Sequence, residues 1–346
     1  MELKMDPIKI QDQLDSNRKT VSFDSYDITV RQLYDMVSDK SIDIAPEYQR
    51  HFIWKEDRQS LLIESIFLGI PVPSLFMATN KDSTWEVVDG LQRLTTLVNF
   101  VGDAETIQKV NPNCSVLKLK GLEKLSTLND LKFSDLPKSL QLLFMTRPIR
   151  ITVLNDRSDL EVRYDLFERL NTGGIILHPQ EIRNCIFIGR FNDVIKELAR
   201  DKNFINVLRT KENLEELVLK FFAYYQDREL FVHGVKDFLN EFMEKKTKEF
   251  NDENNLKEIF KETFRVLNEK LPDGIVRGNR KNSTPLVLYE AISVGVADAI
   301  KSGLDIDSKI LKSLLDNEDL RKLTTGATNS KLKLKERIDF VKAAFI

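Results

Sequence analysis

The chain has 346 residues, with 52 Lys and Arg against 54 Asp and Glu, so its formal net charge is −2. Its length is typical of about two domains. With 42% hydrophobic and 31% charged residues, the composition fits a globular protein and excludes a disordered one. The near-zero charge excludes a general polybasic nucleic-acid binder, so any such surface must be local. Few chain breakers, 13 Gly and 10 Pro, favour many or long helices.

The cysteine count and the hydropathy of the chain indicate its cellular compartment. Cys114 and Cys185 are the only cysteines, too few for a disulfide framework or a Cys-rich zinc site, which favours a reducing compartment. The sequence has no run of 18 apolar residues, so no membrane-spanning helix is predicted, and the N-terminus lacks the apolar core of a signal peptide. We therefore expect a cytoplasmic protein with no membrane partner.

The first half of the chain alternates strand-like and helix-like patterns, as in an α/β or α+β domain. Strands are predicted at residues 21–30, 74–79, 84–90, 115–122 and 147–156. Helices are predicted at residues 29–40, 55–69, 91–101 and 135–144. The helix over residues 55–69 should bury Leu61, Ile63, Ile66 and Phe67 and end at Gly69.

After Asp156 the spacing becomes helical. Helices are predicted at residues 158–172, 178–199, 212–226, 236–250, 256–271, 284–300, 308–316 and 331–342. No strand pattern of comparable strength follows Leu154. The sequence thus predicts an α+β chain: a domain over residues 1–156 with a small mixed sheet, followed by an all-α domain over residues 157–346.

One segment joins a predicted strand to a helix through Asp89 and Gly90. Such a junction points backbone N–H groups outward at a helix N-terminus, which favours an anion. Arg93 offers a planar fork for phosphate oxygens, Thr95 or Thr96 could add a hydroxyl, and Asp89 could hold a metal ion or orient water. The alternative is an Asp N-cap and a Gly turn, with Arg93 paired to a nearby carboxylate.

Two other segments carry polar side chains in irregular stretches. Residues 46–54 combine Gln49, Arg50 and His51 with large aromatics, which suits base recognition or, alternatively, core packing with an Arg ion pair. Asn171-Thr172-Gly173-Gly174 lies between helical patterns and could hold phosphate or form a plain turn. The sequence has no P-loop, no G-x-G-x-x-G and no metalloprotease or His-Asn-His spacing.

Residues 48–54, 69–73, 89–97 and 167–184, in this order, resemble one family: the N-terminal domain of GmrSD-type modification-dependent restriction systems. That family is similar in fold to the ParB/sulfiredoxin superfamily. The resemblance covers roughly residues 20–190, and the helical remainder resembles the family's C-terminal extension. It implies a ParB/sulfiredoxin-like fold and a nucleotide-binding, often nucleotide-hydrolysing, module of prokaryotic anti-phage defence.

The family's Asp-Gly-Gln-Gln-Arg box corresponds to residues 89–93, where Leu91 replaces the first Gln. If that Gln takes part in hydrolysis, the chain should bind NTP and hydrolyse it poorly; if position 91 faces the core, the change is silent. Many relatives carry a separate HNH nuclease domain, so nuclease activity is expected in another polypeptide or is absent here.

Motifs and resemblance together give a first hypothesis, an NTP-binding and NTP-hydrolysing defence component that uses Mg²⁺ and acts on DNA or a partner nuclease. The expected catalytic residues are Asp89, Gln92 and Arg93, with Asp89 also the metal ligand. The expected nucleotide contacts are Gln49, Arg50, Gly90, Thr95, Thr96, Asn171, Thr172 and Gly173. The alternatives are a DNA-binding or DNA-cleaving module that uses the same turn, and a non-catalytic interaction subunit; an oligomer is compatible with each.

Overall fold

The computed structural model describes residues 12, 23–44, 52–80, 82–110, 112–155, 164–165, 168–169, 178–210, 213–232, 234–278, 282–326 and 328–346. By its contacts the chain divides into two compact units, Met1–Ile176 and Leu177–Ile346. The boundary at residues 156/157 stays a prediction, because most residues between it and the division lie outside the described ranges.

The first unit combines a sheet with helices. Its strands are β1 (Phe23–Thr29), β2 (Ile42–Asp43), β3 (Leu75–Thr79), β4 (Trp85–Asp89) and β5 (Pro148–Leu154). Its helices are α1 (Val30–Ser38), α2 (Glu56–Leu68), α3 (Leu91–Val101), α4 (Ala104–Val110) and α5 (Lys138–Met145), with 3-10 turns at Ser126–Leu128 and Phe133–Asp135.

The five strands lie in the order β1-β5-β3-β4-β2. β1 pairs with β5 and β3 pairs with β4 antiparallel, whereas β3 with β5 and β2 with β4 are parallel. The prediction of an α+β chain with a small mixed sheet is confirmed. β3 is the central strand, with β5 on the outer side of β3 and β2 on the outer side of β4. This pairing fixes the position of the end of β4.

Helix ends follow from local chemistry. The Thr29 side chain accepts a hydrogen bond from the Gln32 N–H and caps α1, and α2 ends at Gly69 in a left-handed conformation, as predicted. The burial predicted for Leu61 is wrong: it is 49% exposed, because α2 turns Ile63, Ile66 and Phe67 to the core instead.

The predicted strand at residues 115–122 is also wrong. The segment is irregular, although Leu117, Leu119 and Leu122 are buried as alternation would suggest. Its backbone bonds go to scattered partners, such as Leu117 N–H to the Asn99 carbonyl and Lys120 N–H to the Ser60 hydroxyl. The alternating pattern therefore predicts which residues are buried, but this segment pairs with no described strand to form a ladder.

The described residues of the second unit form helices joined by turns and irregular segments, with a 3-10 turn at Arg228–Leu230, and contain no strand, as predicted. Its helices are α6 (Pro179–Ile186), α7 (Arg190–Leu198), α8 (Lys202–Asn206), α9 (Leu214–Asp227), α10 (Val235–Lys248), α11 (Glu253–Lys270), α12 (Leu286–Lys301), α13 (Ser308–Asp316), α14 (Glu318–Thr324) and α15 (Lys331–Ala343). The single helix predicted over residues 178–199 is two helices, α6 and α7, separated at Gly189. Within the described ranges, no helix has both the length and the apolar character that crossing a bilayer requires.

The closest helix packing in this unit joins α12 to α15. A Cβ added at Gly295 would lie 2.6 Å from Val341 Cβ and 3.0 Å from the Ile338 carbonyl oxygen. Both contacts are shorter than ordinary van der Waals distance, and one of them is to backbone. Gly295 therefore permits the two helices to approach closely.

A chain of buried and partly buried charges crosses the helical unit. Arg183 on α6 donates to Glu216 on α9 (Nη1 to Oε2, 3.2 Å), and Lys220 Nζ lies 3.3 Å from the other Glu216 oxygen. Lys220 also lies 3.7 Å from Glu290 on α12, which accepts a 2.6 Å bond from Arg337 on α15. Arg183 is 1% exposed and Arg337 is 2% exposed. We call these five side chains the ionic chain.

Further hydrogen bonds reach both ends of the ionic chain. Arg183 Nε donates to Asn240 Oδ1 at 2.8 Å, and Arg337 Nη1 donates to the Thr328 carbonyl at 2.8 Å. Burial raises the pKa of the adjacent Tyr224 phenol well above its ordinary value, and the Glu290 carboxylate raises it further. In such surroundings an ion that loses its partner carries a high desolvation cost.

Gly295→Ala tests the close approach. The overpacking cost, about 3 kcal/mol, exceeds the helix-propensity gain of about 1 kcal/mol and should leave a net loss of about 2 kcal/mol in unfolding free energy. Urea unfolding followed by far-UV circular dichroism measures it. Gly234→Ala is the control, since its added Cβ meets only Asp237 Oδ2 at 3.7 Å. Equal stability of the two variants would show that α12 and α15 separate without cost.

Arg337→Met tests the ionic chain. It leaves the Glu290 carboxylate buried with only Lys220 nearby, so unfolding free energy should fall by about 3–5 kcal/mol. The double variant Glu290→Met/Arg337→Met removes both charges and should recover part of the loss. Urea unfolding followed by far-UV circular dichroism measures the loss. A double variant less stable than Arg337→Met would contradict the argument.

Candidate functional site

The candidate site is built on the turn between β4 and α3. Gly90 is the N-cap of α3 with φ 104° and ψ 12°, a left-handed conformation, and its carbonyl accepts the Leu94 N–H at 2.8 Å. A Cβ at this position would lie 2.4 Å from Leu75 Cδ2. Glycine is required here for its backbone angle and for the space beside β3. As an N-cap without a side chain, it supplies no acceptor to the first turn of α3.

Arg93 and Asp89 meet across this turn. Arg93 Nη2 donates to Asp89 Oδ2 at 2.7 Å and to the Ser74 carbonyl at 3.1 Å. The Arg93 side chain is 18% exposed and that of Asp89 is 34% exposed, so the pair is accessible to solvent. The ion pairing considered as the alternative for Arg93 is therefore present, whereas the N-cap is Gly90 and not Asp89.

Gln92 points to a different part of the chain. Its Oε1 accepts hydrogen bonds from the backbone N–H groups of Ile53 and Trp54, each at 3.1 Å. The structure thus brings the Asp89–Arg93 turn together with the segment that follows residues 46–51. Sequence spacing gives no indication of this contact, because 39 and 38 residues separate the partners.

Trp54 is held at two further points that sequence reasoning missed. Its carbonyl accepts a 2.9 Å bond from Gln59 Nε2, and the Arg58 guanidinium carbon lies 4.7 Å from the centre of its ring. Gln59 is in turn bonded through Oε1 to Asn99 on α3 at 3.2 Å. The only sequence signal was the position of Arg58 and Gln59, four and five residues after an aromatic residue at a helix start.

The remaining predicted nucleotide contacts are either buried or outside the described residues. Thr95 and Thr96 are 1% and 0% exposed, and the Thr96 hydroxyl donates to the Gln92 carbonyl at 2.7 Å. Leu91 is partly buried and packs against the hydrophobic core of the first unit. Gln49, Arg50, Asn171, Thr172 and Gly173 lie outside the described residues, and their place in the site stays a prediction.

Metal-ligand chemistry at the turn rests on Asp89. Among the described residues, no group of three or more His, Cys, Asp or Glu side chains is arranged to hold a metal ion. A Mg²⁺ ion commonly takes one or two protein carboxylates together with substrate phosphate oxygens and water. Asp89 fits the protein's share of such a set, and it fits only if the substrate supplies the phosphate oxygens.

Gly90→Ala tests the turn itself. The left-handed angle and the approach to Leu75 should together lower the unfolding free energy of the first unit by about 2–4 kcal/mol. Gly121→Ala is the matched control: Gly121 has φ +66°, but its added Cβ would meet nothing closer than Asp57 Oδ1 at 3.9 Å. The control should lose only the angular cost, about 1–2 kcal/mol. Urea unfolding followed by tryptophan fluorescence measures both losses. Equal losses for the two variants would contradict the packing argument.

Three comparisons place the chain among known proteins. Residues 32–188 match the family model described as the GmrSD restriction endonuclease, N-terminal domain. A search of curated proteins gives no match. A solved structure, the C2221 form of a Pnob8-like ParB-N domain, matches at 11% identity and a TM-score of 0.23 over 92% of this chain and 98% of that one, a likeness too distant to carry an argument. The family match spans the β4–Gly90–α3 turn, and residues 32–188 are similar to the GmrSD restriction endonuclease N-terminal domain family.

Proposed function

We propose that this chain is the nucleotide-binding component of a restriction or defence system, and that it holds the phosphates of an NTP at the β4–Gly90–α3 turn. The match of residues 32–188 to the GmrSD N-terminal domain family supports the restriction or defence role. The proposal that the ligand is a nucleotide rests on the geometry of the turn. The single observation that carries it is the Arg93 guanidinium, held at a helix N-terminus beside a solvent-accessible carboxylate.

The Asp89–Arg93 pair supports an exchange of anions. Asp89 supplies a negative charge to Arg93 at 2.7 Å, next to the first turn of α3. A phosphate oxygen can replace Oδ2 of Asp89 at Arg93 and also gains the positive end of the α3 dipole. The Ser74 carbonyl, which accepts from the same Arg93 nitrogen, keeps the guanidinium in place during the exchange.

Release of Asp89 supplies the second half of the proposal. A carboxylate freed from Arg93 and adjacent to bound phosphate suits a Mg²⁺ ion that bridges the two. The ion would polarise the phosphate oxygens, and Asp89 would orient it. Hydrolysis of the NTP, with Asp89 and Arg93 as the nearest functional groups, and coupling to DNA or a partner nuclease are further parts of this proposal.

Leu91 does not argue against nucleotide binding. It departs from the family's box, but its side chain packs on the core rather than standing alone at the surface. This corresponds to the case in which the change from Gln is silent. Hydrolysis rates of the chain and of Leu91→Gln, compared at saturating NTP, address that part of the proposal directly.

Calorimetric titration with ATP, GTP, CTP and UTP, with and without Mg²⁺, tests the site. At least one NTP should bind, and Arg93→Ala should weaken it by about tenfold or more, since hydrogen bonds to charged groups contribute about 1.5–3 kcal/mol. Asp89→Asn removes the competing anion and should tighten binding without Mg²⁺ while reducing the gain from Mg²⁺.

Lys109→Ala is the control, because Lys109 forms an exposed pair with Glu105 on α4, which follows the end of α3 opposite to the turn. Its affinity should equal that of the unmodified chain. Binding of none of the four NTPs would refute the proposal. DNA binding with a steep salt dependence, in place of NTP binding, would favour the DNA alternative.

A further inference from the structure

We infer that Gln92 is a positioning residue: its side-chain carbonyl clamps the backbone at Ile53 and Trp54 and thereby holds Trp54 beside the Asp89–Arg93 turn. The part of this inference that concerns nucleotide affinity rests on the proposed function. The clamp itself rests on the hydrogen bonds alone.

The geometry at Gln92 is that of a double acceptor. One amide oxygen receives two successive backbone N–H groups, each at 3.1 Å. A carbonyl oxygen has two lone pairs, so these two bonds fill its capacity. Two successive backbone N–H groups on a single acceptor fix both the position and the direction of the peptide, which one bond does not.

The clamped peptide is fixed on its other sides as well. Gln59 holds the Trp54 carbonyl at 2.9 Å, and Arg58 lies over the Trp54 ring. Gln59 is 6% exposed and is bonded to Asn99, which is 3% exposed. Asn99 and Gln92 both belong to α3. The helix that begins at the Gly90 turn therefore grips Trp54 twice, directly through Gln92 and indirectly through Gln59.

The chemistry separates a clamp from a catalyst. A clamp needs only the acceptor oxygen of Gln92, whereas orienting a phosphate through the amide would need its N–H donors. Glutamate keeps an acceptor oxygen of the same reach and has no N–H donor. Gln92→Glu therefore preserves the clamp, while Gln92→Ala removes it.

Amide hydrogen exchange of the full chain, resolved at single residues by NMR, tests the clamp. In Gln92→Ala, protection of the Ile53 and Trp54 amides should fall by about tenfold or more, and the Leu94 amide, bonded to the Gly90 carbonyl, should be unchanged. Gln92→Glu should retain the protection. Gln141→Ala is the matched control: Gln141 bonds the Phe133 and Leu136 carbonyls, remote in sequence from the turn, and its loss should leave both amides unaffected.

Nucleotide binding and hydrolysis are measured on the same variants. Gln92→Ala should weaken NTP affinity severalfold and leave the rate at saturation nearly unchanged, because the clamp holds Trp54 beside the turn and supplies no group to the reaction. Unaltered protection at Ile53 and Trp54 in Gln92→Ala, or protection lost in Gln92→Glu, overturns the clamp. A lower saturating rate with unchanged affinity and protection overturns it in favour of a catalytic role. If the unmodified chain binds no NTP, the proposed function fails, while the exchange data still decide the clamp.

Discussion

The left-handed backbone of Gly90 is the constraint on which the arrangement of the first unit's site depends. It ends β4 and starts α3 within one residue, so the first three side chains of the helix diverge at about 100° intervals. Leu91 then packs on the core, Gln92 meets Ile53 and Trp54, and Arg93 returns to Asp89. A residue with a side chain at position 90 would alter all three directions together, because Leu75 blocks the space beside the turn.

The chain uses arginine in two physically different ways. Arg93 pairs with Asp89 where both side chains retain contact with water, so another anion can compete for the guanidinium at modest cost. Arg183 and Arg337 are enclosed, and each is bonded to a carboxylate and to a neutral oxygen as well. Exchange at those positions would require desolvating a new partner. Accessibility of the pair, rather than the presence of arginine, is what makes the β4–α3 turn suited to a ligand.

Much of this arrangement follows from local patterns. Period-two and period-3.6 spacing located four of the five predicted strands in the first half, and a Gly between strand and helix located the turn. Asp89 and Arg93 could be expected to meet because they are four residues apart at a helix start. The contact of Gln92 could not, since its partners come from another part of the chain. The segment at residues 115–122 failed for the same reason, because alternation specifies a buried face and not a partner strand. The ionic chain was invisible too: its members have the spacing of ordinary helix surface charges, and only the packing of four helices encloses them.

The ionic chain shows that the region matched by the family model and the region that folds together end at different residues. The family match ends at residue 188 and so includes α6 with Arg183, yet the carboxylate of Glu216, which neutralises Arg183, and the accepting amide oxygen of Asn240 follow it in sequence. A fragment cut at the edge of the matched region would keep the Arg183 guanidinium and its Gln180 acceptor but would lose that carboxylate and the Asn240 oxygen. Its last helix would expose the apolar face on which Ile182 and Ile186 lie. The segment shared with relatives is thus shorter than the smallest piece of this chain that can satisfy its own buried charges, and inheritance and folding divide the polypeptide at different places.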